Sequence, residues 1–278
     1  MQLPDHQRGV AIVLAMSVVA MAALAATAMA VSQSTWFRQV ELGTSHAQAL
    51  LIMNGGLNWS RAILGDDKRA GNVDYNGEPW AMQLPAIPVD NGSLTGHIDD
   101  QQAKFNLNNL LKDDKINPAQ LASFRRLLST LSLPATLADT LCANLPLVDT
   151  SELASLPGFD DKVRTRLQPF VTALPHFSAI NVNTASPEVI SAVIDGLTLD
   201  DARAIIAQRD RLVFFRNLSD FSSQIPAGFI VPTENISVNS GYFMVSMVTT
   251  INGVEARGSA LLARENATWP SVVWRKYQ

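Results

Sequence analysis

The sequence predicts an α+β protein in which a long N-terminal helix, half of it transmembrane, packs on a small antiparallel sheet with a large helical insertion. Three patterns support this prediction. A long apolar run near the N-terminus has the length of a membrane span, and the central region carries apolar residues at helical spacing. Alternating apolar and polar residues on both sides of that region indicate strands, so helices and strands are segregated along the chain.

Composition limits the classes of function. The 278 residues include 21 Lys and Arg against 25 Asp and Glu, a formal net charge of −4. Proteins that bind nucleic acid in general need a basic face, so this balance argues against that class. Cys142 is the only cysteine, which excludes an intramolecular disulfide, and its Leu-rich helical surroundings predict a core position.

The apolar run covers residues 10–31 and predicts a transmembrane helix. No charged residue lies between Arg8 and Arg38, and only two hydroxyl side chains interrupt the run. A helix of this length spans about 33 Å, which matches a hydrocarbon core of about 30 Å. A secretory signal peptide is the alternative, because residues 28–30 (Ala-Met-Ala) have the pattern of a signal peptidase site.

The order of features favours processing at the start of this run. Residues 1–9 form a short polar leader that ends in Arg8 and Gly9, and the apolar run begins at once with Val10. A basic residue and a glycine directly before an apolar helix resemble the prepilin peptidase site of type IV pilins and pseudopilins. In those proteins the peptidase cuts after the glycine, and the apolar helix stays on the product. The resemblance implies that Val10 is the first mature residue and becomes methylated.

The fifth residue counted from Val10 is Leu14, whereas most pilins carry Glu there. In the family that Glu pairs with the N-terminal amine of a neighbouring subunit, and a buried carboxylate is costly without such a pair. A subunit with no neighbour on that side can therefore dispense with it. Among pseudopilins, the missing Glu is typical of the K-type minor subunit of type II secretion.

Residues 32–110 are predicted to form the first part of the domain outside the membrane. Apolar residues at a spacing near 3.6 continue the helix as far as residue 64, and residues 65–67 (Gly-Asp-Asp) predict its end. Residues 66–91 are predicted to be a loop, because Gly, Asn, Pro and Asp are frequent there. Two strands are predicted at residues 93–99 and 104–107. Residues 99–102 are predicted to be a solvated turn between them.

Residues 111–235 are predicted to be an inserted helical domain. Asn117-Pro118 and Leu133-Pro134 are suitable helix starts, since Pro is favoured just inside a helix. Residues 149–211 contain a weak repeat that resembles helix-hairpin-helix units: a polar cap, a short apolar helix, a Gly and a second helix occur twice in the same order.

Residues 236–278 are predicted to complete the sheet. Asn252-Gly253 lies between two alternating runs, residues 242–251 and 254–263, and this dipeptide is the strongest short-range signal for a β-hairpin. Residues 271–277 are a candidate for a last strand.

The chain thus resembles the type II secretion minor pseudopilins of the general secretion pathway protein K family over nearly its full length. In chain order, the matching features are Arg8-Gly9 before an apolar run without Glu at position 14, Leu94-Thr95-Gly96, residues 99–110 (DDQQAKFNLNNL), residues 148–153 (VDTSEL), residues 180–185 (INVNTA) and Tyr242-Phe243. The resemblance implies a subunit at the tip of the pseudopilus. Such a subunit binds the I- and J-type minor pseudopilins, starts assembly and limits filament length, for export of folded proteins across the outer membrane.

The same resemblance implies contacts with the major pseudopilin and with prepilin peptidase, and no binding of nucleic acid. It places the chain in the inner membrane as a single-pass protein whose globular body is in the periplasm. The predicted partner-binding residues lie on the N-terminal helix and are Val10, Ile12, Leu14, Val18 and Leu24.

A bound metal or other cofactor is not expected. Relatives often bind calcium in an acidic loop just before the VxEL segment, but here only residues 144–147 separate the preceding helix from Val148. Calcium takes about six to eight oxygen ligands, and the carboxylates to supply them are missing there. Asp99-Asp100 and Asp160-Asp161 are acidic pairs of a kind that binds cations weakly at best.

Two other classes of function were weighed. Residues 180–185 together with Arg203 and Arg209 also resemble the helix-hairpin-helix of DNA-uptake receptors, which would make the chain a membrane-anchored DNA-binding protein. The Gly-hydrophobic-Gly hairpin is absent, and aspartates follow both turns, where they would repel phosphate, so a scaffold role is favoured. An enzyme is disfavoured because the histidines lack metal spacing, and His97 beside Asp99 has no Ser, Cys or Lys at a useful spacing.

Overall fold

The computed structural model describes residues 5–264 and 269–278 as a mixed α+β protein, which confirms the predicted fold class. The helices are α1 (Asp5–Ala70), α2 (Pro118–Thr130), α3 (Thr136–Cys142), α4 (Asp161–Leu167), α5 (Pro187–Val193), α6 (Leu199–Leu212) and α7 (Leu218–Ser222). The strands are β1 (Leu84–Val89), β2 (Gly92–Asp100), β3 (Phe105–Asn106), β4 (Leu111–Lys112), β5 (Lys115–Ile116), β6 (Val171–Thr172), β7 (Ile180–Asn181), β8 (Ile236–Ser237), β9 (Tyr242–Ile251), β10 (Val254–Ala263) and β11 (Ser271–Tyr277). Short 3-10 helices cover Pro79–Ala81, Gln101–Ala103, Leu107–Leu110 and Thr150–Ser155.

Helix α1 is one continuous helix of 66 residues. The predicted end at residues 65–67 was wrong, because the helix runs on to Ala70. Its last turn holds Lys68 and Arg69, whose positive charges interact favourably with the negative end of the helix dipole. This favourable end outweighs the low helix propensity of Gly65, which is buried inside the helix.

The second half of α1 packs on a five-stranded sheet. Ala49, Met53, Leu57 and Leu64 are buried against the apolar face of the sheet. At Gly56 the helix backbone comes so close that an added Cβ would lie 3.0 Å from Leu94 Cδ2 and from Met247 Sδ. Gly56 therefore lets the helix pack closely on the sheet. This close packing explains why a residue of low helix propensity stands here.

The sheet has the order β1-β2-β9-β10-β11, and every neighbouring pair is antiparallel. The hairpin predicted at Asn252-Gly253 is confirmed: Ile251 pairs with Val254, and both loop residues have positive φ, 48° and 79°. Such a two-residue turn matches the twist of the flanking strands. The predicted last strand is confirmed as β11.

Three predictions near the start of the sheet were wrong. Strand β1 lies in the segment predicted as a loop, because its two prolines are tolerated at a sheet edge, where no ladder hydrogen bond is lost. The strand predicted at residues 104–107 is reduced to β3, which pairs in parallel with β6 outside the main sheet. The predicted solvated turn is instead the end of β2 and a 3-10 helix in which Gln101 and Gln102 are buried.

A helical insert, residues 101–241, lies between β2 and β9 and has its own apolar core. Asn117 caps α2 through hydrogen bonds from the amides of Ala119 and Gln120, as its place before Pro118 predicted. Helix α3 begins at Thr136, two residues later than the predicted start. Cys142 is partly buried against the core of the insert.

The boundaries predicted at residues 110 and 235 fall inside this core. Phe105, Leu107 and Leu110 are buried among the helices of the insert, although they were assigned to the first part of the other domain. Ile236 belongs to the same core, and β8 pairs with β7. The insert therefore starts several residues earlier and ends several residues later than its helical pattern indicated.

Candidate functional site

The first half of α1 has no partner within the described chain. Every residue from 9 to 44 is exposed, and the first buried position of the helix is Ser45. The five predicted partner-binding residues are between 59% and 71% exposed. They share one helix, but the structure brings none of them next to another element of the described chain.

The chemistry of this surface is that of a membrane-spanning helix. It is the one helix in the described residues that is long and apolar enough to cross a membrane. The hydroxyls of Ser17 and Thr27 each donate a hydrogen bond at 2.8 Å to a carbonyl four residues earlier. With those hydroxyls satisfied inside the helix, no side chain of residues 10–31 needs water or a polar partner.

The apolar surface continues beyond the predicted span. Trp36 and Phe37 are exposed and contact each other edge to face, with ring centroids 5.3 Å apart. Leu51 is 71% exposed although it lies within the half of α1 that packs on the sheet. The side of α1 that faces away from the sheet therefore offers apolar contacts along most of its length.

Gly9 and Val10 lie inside α1, and both are exposed. An added Cβ at Gly9 would meet no described atom within 4 Å. Within the described structure, a larger side chain at this position would therefore meet no other atom.

The motif of residues 99–110 forms a hydrogen-bond scaffold. Asn106 Nδ2 donates to the carbonyl of His176 at 2.9 Å, and its Oδ1 accepts from the amide of Leu174 at 2.9 Å. Asn109 Nδ2 donates to the carbonyl of Ser178 at 2.8 Å, and its Oδ1 accepts from the same residue's amide at 3.1 Å. The two asparagine side chains thus supply hydrogen-bond partners for backbone groups of residues 174–178, which would otherwise be unsatisfied. The motif is structural.

The motif of residues 180–185 joins the insert to the sheet. Asn183 exchanges two hydrogen bonds with the backbone of Phe215, at 2.7 and 3.0 Å. Asn181 Nδ2 donates to the carbonyl of Asp74 at 2.9 Å and to Asp100 Oδ2 at 3.1 Å. Thr184 Oγ1 donates to the same carboxylate oxygen at 2.5 Å.

A buried arginine completes this junction. Arg264 is 2% exposed and donates to the carbonyl of Leu64 at 3.0 Å, and it forms ion pairs with Asp67 at 2.6 Å and with Asp74. Its guanidinium also lies 4.5 Å from the centroid of the Phe243 ring. Sequence reasoning missed this cluster, because its members lie up to 200 positions apart and no local pattern links them.

Carboxylate oxygens of Asp67, Asp74 and Glu78 lie within 4.8 Å of one another, the spacing that a metal ion could use. The Arg264 guanidinium forms ion pairs with two of the three and supplies the positive charge there. The two acidic pairs singled out from the sequence are also engaged. Asp100 is buried, Asp160 caps α4, and Asp161 forms an ion pair with Arg164.

The arrangement around His97 differs from the sequence expectation. His97 Nε2 lies 3.1 Å from Asp99 Oδ2, and strand pairing places Ser246 directly opposite His97. A serine at a useful position was not expected, since β9 is far away in sequence. No side-chain hydrogen bond joins Ser246 to His97 in the described structure, and both members of the His-Asp pair are about half exposed. An activated serine needs that hydrogen bond, so the geometry does not assemble a nucleophile.

The residues that suggested DNA binding have structural partners. Arg209 is buried and donates to the carbonyls of Val182 and Ala185, at 3.2 and 2.9 Å. Arg203 forms an ion pair with Asp200 at 3.0 Å. Arg209 is thus engaged inside the insert, whereas Arg203 remains 58% exposed at its surface.

The fold and the exposed helix together define a membrane-associated, pilin-like subunit: a long helix that is apolar on all sides over residues 10–31 and whose second half packs on an antiparallel sheet. The family model described as type II secretion system (T2SS), protein K matches residues 180–239. A second model of the same protein, for its first domain, matches residues 103–145 and 140–176.

Relatives of known name agree with these matches. The type II secretion system protein K of Pseudomonas aeruginosa is 30% identical over 280 residues, covering 86% of this chain and 83% of the relative. That of Klebsiella pneumoniae is 28% identical and covers 98% of this chain and 97% of the relative. The chain therefore belongs to the type II secretion system protein K family, and the expectation of a minor pseudopilin in that system is confirmed.

A solved structure supports the fold. It is the GspK-GspI-GspJ complex from the type 2 secretion system of enterotoxigenic Escherichia coli, and one of its chains matches with a TM-score of 0.75 at 24% identity. The match covers 86% of this chain and 99% of the other. At this level of identity, the likeness concerns the fold.

Proposed function

We propose that this chain is the tip subunit of the type II secretion pseudopilus, which starts assembly with the I- and J-type minor pseudopilins and limits filament length. The observation that supports this proposal most strongly is the part of α1 formed by residues 10–31, which is apolar and exposed on all sides. Such a surface needs lipid or other apolar helices around it, because exposing it to water is unfavourable. The similar chain in a complex with GspI and GspJ supports partners of these two kinds.

The position of the insert favours the tip. The hairpin end of the sheet lies near the membrane half of α1, since Asn252 Nδ2 donates to Ser45 Oγ at 3.1 Å. The insert joins the sheet at the opposite end, where Asp100 pairs with Phe243 and where Arg264 contacts Leu64. A bulky insert at the end of the sheet farthest from the membrane helix would obstruct the addition of a subunit beyond it.

We further propose that prepilin peptidase cuts between Gly9 and Val10, that the helix stays in the inner membrane, and that the globular body lies in the periplasm. In the assembled filament, Leu14 then occupies the position where other subunits carry Glu. A leucine there needs no charged partner, which suits a subunit without a neighbour on that side. The major pseudopilin would then contact the apolar helix of this subunit on its other side.

We expect no calcium requirement. The carboxylate of Asp149, in the segment that follows the shortened loop, accepts from Lys276 Nζ at 2.5 Å, and Glu152 completes a capping box. Both groups are thus engaged within the chain. Adding calcium to EDTA-treated protein should leave its thermal unfolding midpoint unchanged, and a clear rise in the midpoint would contradict this expectation.

Leu14→Glu tests the tip proposal at the residue level. The full chain is co-expressed with the I- and J-type subunits, extracted from the membrane, and the yield of the complex is compared with that of Leu14→Gln, which has the same shape without the charge. We expect Leu14→Glu to lower the yield, because its carboxylate would be buried without a cation. Equal yields from the two variants would indicate a neighbour that pairs with the charge.

Filament length tests the same proposal in cells. Raising the amount of this chain relative to the major pseudopilin should shorten the pseudopili seen by electron microscopy, because more filaments would start from the same pool of major subunit. Unchanged lengths over a wide range of expression would contradict the role in initiation and length control.

A further inference from the structure

The junction between insert and sheet holds more carboxylates than cations, two of them buried and two partly buried. Asp67, Asp74 and Glu78 have oxygens within 4.8 Å of one another, and Asp100 is buried close by. Arg264 pairs with two of the four carboxylates. If all four were ionised, the cluster would hold an uncompensated negative charge in a poorly hydrated site, which is unfavourable.

The segment that carries two of these carboxylates also ties the insert to the sheet. Residues 71–78, the strap, connect α1 to the first 3-10 helix. The amide of Asp74 donates to the carbonyl of Val238 at 3.0 Å, and the carbonyl of Asp74 accepts from Asn181 at 2.9 Å. Tyr75 stacks on Phe214 of the insert, with ring centroids 4.3 Å apart. Any change in the charge of the strap therefore acts on the attachment of the insert.

Burial raises the pKa of both carboxyl groups of the strap. The pKa of Asp74 rises to about 6, although the charge of Arg264 opposes the increase. The pKa of Glu78 rises to about 7, against the hydrogen bonds that it accepts from the Tyr75 amide at 3.0 Å and from Trp80 Nε1 at 2.7 Å. Because the two groups are neighbours, they titrate as a pair.

The charged groups around this pair come from every element packed against it. Helix α1 contributes Asp67, which raises the pKa of Glu78, and residue 264 after β10 contributes the arginine. The end of β2 contributes Asp100, whose pKa is also raised by burial. Lys104 contributes a cation near Asp99 and Asp100, and burial lowers its pKa against the charges of these two aspartates.

We propose that the Asp74–Glu78 pair takes up a proton and that this proton holds the strap and the insert closed on the sheet, so that the junction loosens as pH rises. The proton removes one of the like charges within the cluster and leaves Arg264 facing fewer carboxylates. The rigidity of the insert relative to α1 would then depend on the pH of the compartment that surrounds it.

The direction of this pH dependence follows from the raised pKa values. An opened strap exposes Asp74 and Glu78 to water, where their pKa values return toward the ordinary values of 3.8 and 4.5. The closed state therefore binds more protons between about pH 4 and 7. Its stabilisation by protonation is complete below about pH 4 and is lost as pH rises through about 6 to 7.

Hydrogen exchange of the full chain in detergent micelles tests the proposal. Protection factors, corrected for the intrinsic pH dependence of exchange, are compared at about pH 5.5 and about pH 8 for peptides covering residues 71–80 and 236–241. We expect protection in these peptides to fall on the order of tenfold at the higher pH, since each unit of a linked pKa shift changes an opening constant tenfold. Equal protection at both pH values would overturn the proposal.

Two variants and one control sharpen this test. Glu78→Gln keeps an oxygen that accepts both hydrogen bonds but cannot ionise, so its peptides should stay protected at pH 8. Asp67→Asn, a second variant should Glu78→Gln fail to fold, should move the loss of protection to lower pH, because it removes the like charge that raises the pKa of Glu78. Glu234→Gln removes an exposed carboxylate and should behave as the unchanged chain. The proposal would be overturned if Glu78→Gln loses protection as the unchanged chain does, or if calcium alone restores protection at pH 8.

Discussion

The two halves of α1 belong to one helix but meet different surroundings. In the membrane half, residues 9–44, every position is exposed, and residues 10–31 are apolar on all sides, with Arg38 and Glu41 following on the domain side. In the domain half, residues 45–70, one face is buried on the sheet through Ala49, Met53, Leu57 and Leu64, while Leu51 on the opposite face remains exposed. A helix that is apolar all round needs its partner outside the chain, whereas a helix with one apolar face can find its partner within it.

The difference also appears in the polar groups. In the membrane half, the hydroxyls of Ser17 and Thr27 donate hydrogen bonds to backbone carbonyls of the same helix. In the domain half, Asn54 Oδ1 accepts from Arg275 at 3.2 Å and from Tyr277 Oη at 2.9 Å, and Asp67 pairs with Arg264. The polar contacts thus separate the part of α1 that is fixed to its own domain from the part that is available to lipid and to other subunits.

The largest effect is expected at the ionic contact that ends the domain half. Replacing Arg264 by Met leaves Asp67 and Asp74 buried without a cation and should lower the free energy of unfolding by about 3–5 kcal/mol. Arg257→Met is the matched control, because Arg257 is exposed and its pair with Glu255 should contribute less than about 1 kcal/mol. Urea unfolding of the full chain in micelles measures both, and similar losses in the two variants would contradict a special role for the buried arginine.

A leucine pair on the two faces of the domain half should show a smaller difference. Leu64 is fully buried and Leu51 is 71% exposed on the same helix. Leu64→Ala should lower the free energy of unfolding by about 2–5 kcal/mol, because it leaves a cavity under the sheet. Leu51→Ala should change it by less than about 0.5 kcal/mol.

The relative cost of Leu51→Ala and Leu64→Ala tests whether the exposed face of α1 is free. If Leu51→Ala proved as costly as Leu64→Ala, the exposed face of α1 would have a partner within its own domain. In that case, the face would not be free for other subunits. The same urea titration measures both variants, so the result is read directly.

Much of the fold was predictable because its signals are local. The apolar run, the Asn252-Gly253 turn and the flanking strands each lie within a short segment, and the structure confirms them. Strand β1 was missed because its prolines resemble a loop until the edge position is known. The reach of the insert into residues 105–110 was missed because a short 3-10 segment has no helical period.

One part of the candidate site was predictable from the sequence, and another part was not. Composition alone identified the apolar run of residues 10–31, since no charged residue interrupts it. The junction around Arg264 was not predictable, because it joins residues from α1, the strap, β2 and the end of β10 that only the fold brings together. Ser246 opposite His97 is a further case in which strand register, and not sequence spacing, decides which side chains meet.

The central claim is that the membrane half of α1 is retained in the mature protein and is the surface by which it joins its partners. N-terminal sequencing of the protein extracted from the membrane tests this claim most directly. We predict a mature chain that starts at Val10, and an unprocessed chain in Gly9→Ala. A mature chain that starts at Val31 and is recovered free in the periplasm would contradict the claim, because the surface that recruits the other subunits would be gone.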